Sequence, residues 1–378
     1  MNKIVKQIII IAITAVMSSV LTFGYVIANN FSLEYAKNII KNNFYGEIDM
    51  KKLNEGAIEG MVYALNDENT SFISSDYGYD AFAGELTGEF TGIGISIITK
   101  EDGRNSVVKV YAETPAETAG LKSGDVILEV DGENVEFSTV NEIANAVRGE
   151  VGTSVNIKAD RTGEILSFDI KREKIYIPTV FSKTFEHFGY IQVTSFDEKT
   201  DEKFKEAVEK LAETDGIIID LRNNTGGLLD TAINMLDVII NEGTLINTKY
   251  NNSEMVYTAS GKQIYSKPVV VLVNEYSASA SEFFAAAVKE NNRGEIVGVN
   301  TYGKGSIQTT FKLPGNSGIH LTIGNFYSPK GNKIHKVGVA PSYEVENPEE
   351  YLGFDIELIP FEADLQLQKA LEVIKIKK

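Results

Sequence analysis

The sequence predicts a multidomain protein of mixed α+β and α/β class: an N-terminal helical region, a small β-barrel domain, and a core that contains βαβ units. Three observations lead to this prediction. Apolar residues keep helical spacing in residues 33–65, short β-like runs alternate with turns in residues 88–170, and strands alternate with helices after residue 189. At 378 residues, the chain is also too long for one ordinary hydrophobic core.

The composition excludes several classes of function. The chain has 36 Lys and Arg against 53 Asp and Glu, a formal net charge of −17, and no basic patch, so we expect no nucleic-acid partner. It has no cysteine, which excludes disulfides, thiolate zinc sites and cysteine nucleophiles. None of its three histidines stands in a metal-ligand spacing such as HExxH, so we expect neither a catalytic metal nor a cofactor.

The N-terminus contains an apolar segment. Lys3 and Lys6 precede Ile8–Ala28, which has no charged residue. About 20 apolar residues suffice to span a membrane as a helix, and flanking lysines stay in the cytoplasm. We therefore expect a transmembrane anchor and a single-pass protein of the cell membrane, with the rest of the chain extracytoplasmic. The alternative is a signal peptide, cleaved after small residues such as Val26 and Ala28, which would give a secreted protein.

These patterns divide the chain into five segments. They are 1–30 (membrane anchor or signal peptide), 31–86 (N-terminal helical region), 87–174 (β-barrel domain), 175–345 (core with βαβ units) and 346–378 (C-terminal helical tail). Within the second segment, the polar stretch Asp67–Ser75 predicts a loop. In the barrel domain, Thr139–Val147 predicts a helix among five short strands, because its apolar residues fall on one helical face.

A candidate nucleophile lies where a predicted strand leads into a predicted helix. The strand Val269–Val273 is followed by Ser277-Ala278-Ser279-Ala280-Ser281-Glu282. A residue at a helix N-terminus lies beside free backbone N–H groups and the positive end of the helix dipole, which stabilise a developing oxyanion. Ser279 is therefore a candidate nucleophile. Because Ser279-x-x-Glu282 also fits a capping box, a simple helix cap is the alternative interpretation.

A candidate base is the lysine of Gly303-Lys304-Gly305. A lysine buried between apolar strands has a lowered pKa and can accept the serine proton near neutral pH. A solvated lysine in a turn is the ordinary alternative. The spacing Gly298-x4-Gly303-Lys304 also resembles a P-loop. However, Gly305 stands where a Mg²⁺-binding Ser or Thr is required, and the next residues predict a strand instead of a helix.

Two residues compete to orient this lysine. On a strand, residues 304, 306 and 308 face the same side, which brings Gln308 next to Lys304. Glu290 shares a helix face with Ser279, but at 1.5 Å per residue it lies about 16 Å along the helix axis. We therefore prefer Gln308.

A third segment follows the predicted strand Ile217–Leu221. It is Asp220-Leu221-Arg222-Asn223-Asn224-Thr225-Gly226-Gly227. Two glycines at the start of a helix leave backbone N–H groups open to a substrate. A tight strand–helix turn is the alternative, and the two interpretations are compatible.

These three segments, in this order, resemble the C-terminal processing peptidases, also called tail-specific proteases. Members of this family are Ser-Lys serine proteases with an internal PDZ domain. The resemblance covers most of residues 33–345 and includes the spacing from Ser279 to Lys304 (304 − 279 = 25). It implies Ser279 as nucleophile, Lys304 as general base and Gln308 as the residue that orients the lysine. It also implies an oxyanion hole formed by backbone N–H groups, those of Ala280 and of either Gly226 or Gly227.

The predicted β-barrel domain resembles the PDZ domain of that family. The segment Phe90-Thr91-Gly92-Ile93-Gly94-Ile95 is similar to the carboxylate-binding loop, and Thr114–Asp125 is similar to the PDZ core that follows. Arg148 comes directly after the predicted groove helix, where it would bind the substrate tail; a solvated arginine at a helix end is an equal alternative. The predicted substrate-binding residues are Gly92, Ile93, Gly94 and Ile95, from the resemblance, and Arg148, from its position after the helix.

The resemblance implies an endopeptidase that cleaves proteins near their C-termini, with the free C-terminus of the protein or peptide substrate bound in the PDZ groove by strand addition. It also suggests that the N-terminal helices mediate a homodimer. A catalytically silent, membrane-anchored PDZ scaffold is the alternative, and the intact catalytic residues argue against it. One departure is Asp67-Glu68-Asn69, where relatives usually have a proline after the aspartate. We expect this stretch to lie away from the chemistry.

Overall fold

The computed structural model describes residues 14, 17, 32–100, 102–351 and 356–377. The chain divides into two compact units, Met1–Leu65 and Asn66–Lys378. In the first unit, residues 32–43 are helical and helix α1 (Met50–Tyr63) follows. Asp49 starts α1 as its N-cap, because its carboxylate accepts two backbone N–H groups of the first turn at 2.9 and 3.1 Å. The N-terminal helical region is thus confirmed.

The second unit begins with a β-barrel domain and the elements that lead into it. In chain order these are β1 (Ser71–Ile73), α2 (Tyr79–Thr87), β2 (Glu89–Gly92), β3 (Ile95–Thr99), β4 (Asn105–Val110), α3 (Pro115–Ala119), β5 (Val126–Val130), β6 (Glu133–Asn134), α4 (Val140–Val147), β7 (Ser154–Arg161), β8 (Glu164–Lys171) and β9 (Glu173–Tyr176). The sheet order is β3-β4-β5-β7-β8, with β6 beside β5. Alternate residues of β7 point into the domain core, where they pack with Ile143 of α4.

The rest of the chain forms a larger α/β core. Its elements are β10 (Val180–Phe185), β11 (Phe188–Val193), α5 (Thr200–Lys210), β12 (Ile217–Asp220), α6 (Leu229–Ile239), β13 (Thr244–Tyr250), β14 (Glu254–Thr258), β15 (Val269–Val273), α7 (Ala280–Glu290), β16 (Gly294–Gly298), β17 (Ser306–Lys312), β18 (Gly318–Tyr327), β19 (Tyr343–Glu344) and α8 (Leu365–Ile376). The main sheet has the order β10-β11-β12-β15-β16-β19, and all pairs except β10–β11 are parallel.

Both faces of this sheet are covered by helices. Residues of α5, α6 and α7 pack on one face and residues of α8 on the other, so β12 and β15 are buried throughout. Burial on both faces explains why these strands are almost continuous apolar runs. Because parallel strands end at the same edge of a sheet, the segments that follow β12 and β15 lie next to each other. These are the glycine and serine segments that the sequence singles out.

A second sheet has the order β1-β18-β13-β14, with β17 paired to the other side of β18 along part of its length. Strand β17 follows the lysine segment and was predicted. Strand β1 was not, because a loop was predicted for residues 67–75. In the structure β1 pairs antiparallel with β18, with Ser71 opposite His320. The two compact units divide between residues 65 and 66, so residues 66–86, including β1, belong to the second unit.

The fold class is confirmed: a helical N-terminal region, a β-barrel domain and a βαβ-containing core are all present. The localisation prediction needs correction. The predicted span, residues 8–28, lies outside the described residues except for two positions. Within the part of the chain that the structure does describe, no helix is long and apolar enough to cross a membrane. A single-pass membrane protein is therefore not supported, and we withdraw that assignment.

Candidate active site

Ser279 lies in a sharp turn between strand β15 and helix α7. Its backbone has φ 55° and ψ −114°, outside the regions that non-glycine residues favour. Strain of this kind persists only where the surroundings fix the backbone, and it clusters at functional sites. The turn places Ser279 at the N-terminus of α7, where the first backbone N–H groups have no partner within the helix.

The hydroxyl groups of the two neighbouring serines, Ser277 and Ser281, are hydrogen-bonded to backbone carbonyls. The Ser277 hydroxyl donates to the Leu221 carbonyl at 2.8 Å, and the Ser281 hydroxyl donates to the Asn224 carbonyl at 2.8 Å. Both side chains are fully buried. Ser279 is only partly buried, and its side chain faces a cleft. Of the three, Ser279 is therefore the serine that a substrate can reach.

The glycine turn lies directly against Ser279. A Cβ atom on Gly226 would come within 2.7 Å of the Ser279 Cβ, so no larger residue fits there. The Gly226 N–H donates to the Asn224 Oδ1 at 2.9 Å, and the Ala278 N–H donates to the Asn224 carbonyl at 3.0 Å. Asn224 thus ties the glycine turn to the serine turn. Gly227 packs on the neighbouring strand end, since its Cβ would lie 2.4 Å from the Phe196 carbonyl oxygen.

Lys304 lies in the loop that leads into β17, and its side chain is half-buried. The flanking glycines allow the loop to pack closely: a Cβ on Gly305 would come within 2.5 Å of the His335 backbone nitrogen. On the other side, the Gly303 carbonyl accepts the Lys336 N–H at 2.7 Å. Strand β17 follows, as predicted, in place of the helix that a P-loop requires.

Glu282 joins the serine turn to the lysine loop. Its fully buried carboxylate accepts the backbone N–H groups of Ser279 at 2.8 Å, Gly303 at 2.7 Å and Lys304 at 2.7 Å. The Thr301 hydroxyl donates to the same group at 2.5 Å. Burial raises the pKa of Glu282, although these four hydrogen bonds favour the ionised form. The contact to Ser279 is one arm of the predicted capping box, and the contacts to the lysine loop go beyond it.

Ser279 and Lys304 line one cleft of about 570 Å³, together with Gln308 and His320. Burial lowers the pKa of Lys304, while the carboxylates of Asp67 and, to a smaller extent, Glu282 act in the opposite direction. Burial and the nearby Lys304 lower the pKa of His320. The cleft therefore combines a hydroxyl at a helix N-terminus with a lysine that loses its proton more readily than a solvated one.

Gln308 also lines the cleft, but its amide donates to the Thr322 hydroxyl at 3.1 Å. Among the described residues, no hydrogen bond joins Gln308 to Lys304. Glu290, the competing residue, lies elsewhere: its carboxylate accepts the Lys330 N–H and the Asn332 side-chain amide, each at 2.7 Å. Glu290 is thus not part of this cleft.

A second cleft, of about 260 Å³, lies in the β-barrel domain between β3 and helix α4. The loop from Gly92 to Ile95 is fixed there, because the Ile93 carbonyl accepts the Ala116 N–H at 2.9 Å and the Gly94 carbonyl accepts the Tyr111 N–H at 3.0 Å. Its lining includes the predicted residues Gly92, Ile93, Gly94, Ile95 and Arg148, and the apolar side chains of Ile143, Val147 and Ile175. The predicted carboxylate loop and groove helix are therefore next to each other.

Comparison with family models finds three matches along the chain. Residues 187–345 match peptidase family S41, residues 106–161 match the PDZ domain, and residues 27–76 match the N-terminal domain of the activating protease CtpB. Among curated proteins, the carboxy-terminal processing protease CtpA of Bacillus subtilis is 34% identical over 92% of this chain and 79% of its own length. The chain belongs to peptidase family S41.

Other proteins similar to this S41 peptidase are consistent with the family assignment. The carboxy-terminal-processing protease of Bartonella bacilliformis is 36% identical over 82% of this chain and 74% of its own length. The solved structure of a photosystem II D1 C-terminal processing protease is 28% identical, with a TM-score of 0.51 over 83% of this chain and 86% of that chain. The S41 peptidase is therefore a serine-type endopeptidase of the carboxy-terminal processing kind, with a PDZ domain before its catalytic core.

Two carboxylates of the S41 peptidase, those of Glu282 and Asp67, act on Lys304 although no sequence pattern predicts it. Glu282 was predicted only as a helix cap, although a glutamate among the small and apolar residues of a helix start is itself a signal of further partners. Asp67 was expected away from the chemistry, yet its carboxylate acts electrostatically on Lys304. No local pattern predicts that electrostatic effect, because the position of Asp67 depends on the pairing of β1 with β18.

Proposed function

We propose that this S41 peptidase cleaves protein chains near their C-termini, with Ser279 as nucleophile and Lys304 as general base. One observation supports this most strongly. Ser279 and Lys304 line the same cleft, and one carboxylate, that of Glu282, binds the backbone N–H groups of both. The neighbouring serines have no free hydroxyl, and burial lowers the pKa of Lys304.

In the proposed reaction, neutral Lys304 takes the proton of the Ser279 hydroxyl while Oγ forms a bond to the carbonyl carbon of the substrate. The carbonyl oxygen becomes an oxyanion and Lys304 becomes an ammonium. The carbon–nitrogen bond then breaks, and the ammonium gives its proton to the leaving amine. A water molecule, deprotonated by Lys304 in turn, releases the acyl group and restores the serine hydroxyl.

The proposed oxyanion hole consists of the backbone N–H groups of Ala280 and Gly227. Ala280 is the first residue of α7, so its N–H has no partner within the helix. Gly226 is less suitable than Gly227, because its N–H already donates to the Asn224 side chain. Two donors fixed at this position would stabilise the oxyanion by several kcal/mol, on the order of 3 kcal/mol each.

We further propose that the PDZ domain, within residues 87–174, captures the free C-terminus of the substrate for the catalytic core at residues 175–345. Backbone N–H groups between Gly92 and Ile95 would bind the terminal carboxylate, and the apolar side chains of the groove would bind the last residue. Arg148 lines the same groove and would add a charge-assisted hydrogen bond. Gln308 would fix the cleft around Lys304 through its bond to Thr322.

Substitution of Ser279 by alanine tests the catalytic proposal. Ser279→Ala should reduce peptide cleavage to less than a few per cent and leave the melting temperature almost unchanged. Ser277→Ala and Ser281→Ala are the matched controls, because each removes a buried hydroxyl bonded to a backbone carbonyl. They should lower stability and retain turnover. Substantial cleavage by Ser279→Ala would show that another residue is the nucleophile.

A further inference from the structure

The segment that precedes strand β1 carries an acidic side chain, Asp67, that is linked by hydrogen bonds to strand β18. The Asp67 carboxylate accepts the Thr70 hydroxyl at 2.6 Å and the Asn69 N–H at 3.2 Å. The Thr70 hydroxyl in turn accepts the backbone N–H of Thr322 at 3.0 Å. Because Thr322 belongs to β18, these bonds fix Asp67 to the strand that pairs with β17, the strand after Lys304.

The same position of β18 also binds Gln308. Thr322 lies opposite Gln308 in the β17–β18 register, and its hydroxyl accepts the Gln308 amide at 3.1 Å. Burial acts to raise the pKa of Asp67, but hydrogen bonding from Thr322 and Thr70 outweighs it and holds the pKa of Asp67 below its usual range. A chain of polar contacts thus runs from Gln308 through Thr322 and the Thr70 hydroxyl to an ionised Asp67.

Three further titratable groups act on Lys304 or Asp67 from the elements packed around them. They are Glu282 of α7, His320 of β18 and His335 in the loop before β19. Burial and the nearby Lys304 lower the pKa of His320, so this histidine is cationic only in acid. The Glu282 carboxylate accepts hydrogen bonds from three backbone N–H groups and a hydroxyl, so its negative charge interacts mainly with the serine turn and the lysine loop. Asp67 exerts the larger effect on Lys304 of the two carboxylates.

We propose that Asp67 is a positioning residue for the cleavage reaction: it stabilises the ammonium that Lys304 becomes when it takes the Ser279 proton, and through Thr322 it fixes Gln308. The inference rests on the proposed Ser279–Lys304 mechanism. Asp67 stays ionised throughout and exchanges no proton with the substrate. Its part resembles that of the aspartate in a Ser-His-Asp triad, which stabilises the charged base without becoming protonated.

Asp67→Asn removes this charge and keeps the size of the side chain. Two effects follow from the proposal. Lys304 loses its proton at lower pH, so the acid limb of the activity profile shifts to lower pH by roughly half to one unit. The ammonium formed in the transition state also loses its counter-charge, so kcat/KM at the plateau falls roughly tenfold. If Asp67 had only a structural role, Asp67→Asn would lower the plateau value of kcat/KM without shifting the midpoint of the acid limb.

The test measures two rates against pH with the full-length protein. One is kcat/KM for a peptide, and the other is the rate at which a fluorophosphonate reagent modifies Ser279. Asp67→Glu keeps the charge and should restore the wild-type midpoint. Glu68→Gln is the matched control, because it removes the charge of the adjacent exposed residue and should change neither rate. If Asp67→Asn fails to fold, Thr322→Val should give a smaller shift in the same direction.

The proposal is overturned if the midpoint in Asp67→Asn equals that of the wild type, or if Glu68→Gln shifts it as much. An acid limb that moves to higher pH would also contradict it. The reagent separates this failure from a failure of the mechanism. If wild-type Ser279 reacts with the reagent at no pH, the Ser279–Lys304 proposal itself is wrong, and the inference about Asp67 falls with it.

Discussion

Glu282 holds the backbone of Lys304 in place: its Oε2 atom accepts the Lys304 N–H at 2.7 Å. The same oxygen accepts the Ser279 N–H at 2.8 Å. One buried carboxylate oxygen therefore fixes the two loops that bear the proposed nucleophile and base. Since catalysis depends on the relative position of these groups to within a fraction of an ångström, Glu282 should matter to rate more than to stability.

Glu282→Gln tests this relationship. A glutamine side chain has the same shape but only one oxygen. Its amide N–H₂ group would therefore face backbone N–H groups, which need an acceptor and have one in the carboxylate. We expect kcat/KM to fall roughly 100-fold, because the loops shift apart. Glu290→Gln is a matched control on the same helix, since its carboxylate binds Lys330 and Asn332 outside the cleft. An active Glu282→Gln enzyme would contradict the positioning role.

The pH dependence of cleavage tests Lys304 as the base. The lysine accepts a proton only when neutral, so kcat/KM should rise with pH as Lys304 deprotonates. Burial lowers the pKa of Lys304 from its ordinary 10.5, which places the midpoint of this rise below that value. The measurement is kcat/KM for one peptide across about pH 5 to 10.

Lys304→Arg provides the matching variant. Arginine keeps the positive charge but cannot deprotonate at working pH, so this variant should be as inactive as Lys304→Ala. Lys312→Arg, on the exposed part of the following strand, should behave as the wild type. Turnover by Lys304→Arg would mean that the lysine acts only as a fixed charge.

Gly226→Ala tests the approach of the glycine turn to the nucleophile. The added Cβ would lie 2.7 Å from the Ser279 Cβ, and Gly226 has φ 110°, which alanine rarely adopts. Gly331→Ala separates the effect of the positive φ from the effect of the steric contact, since Gly331 has φ 82° but open space around its Cβ position. Gly331→Ala should cost only about 1 kcal/mol of stability. Gly226→Ala should in addition lower kcat at least tenfold, because Ser279 must move. Equal kcat values for the two variants would refute this.

The sequence predicts the elements around Ser279 well because strong local patterns define them. Strand β15 (Val269–Val273) lies where its apolar run predicts it, and helix α7 begins directly after Ser279, within the segment where a strand was predicted to lead into a helix. The chain order of β12, β15 and their loops then places the glycine turn beside Ser279. In this part of the site, local sequence and the rules of parallel sheets suffice.

The sequence does not predict the surroundings of Lys304, because they depend on non-local pairing. Asp67 lies 237 residues before Lys304 (304 − 67 = 237), and only the pairing of β1 with β18 brings it near. Strand β1 has three residues, too few to show an alternating pattern. The partner of Gln308, Thr322, likewise follows from the register of β17 on β18. This register shifts after Ile307, so the pairing cannot be obtained by counting residues from the turn.

The PDZ groove yields the last prediction. The Gly92–Ile95 loop, the apolar side chains of α4 and Arg148 line one cleft, which suits an extended tail that ends in a free carboxylate and an apolar residue. A peptide with a free C-terminus should therefore be cleaved faster than the same peptide with a C-terminal amide. The amide lacks the charge that the loop and Arg148 would bind, so roughly a tenfold difference in kcat/KM is expected.

Arg148→Ala should shrink the difference between acid and amide by lowering the rate for the free acid alone. Lys171→Ala, which removes an exposed charge from β8 of the same domain, is the control and should leave the difference intact. Modification of Ser279 by a fluorophosphonate should be equally fast in all these enzymes, since the catalytic core is unchanged. Equal cleavage of acid and amide by the wild type would rule out tail recognition through a terminal carboxylate, while the Ser279–Lys304 chemistry would stand.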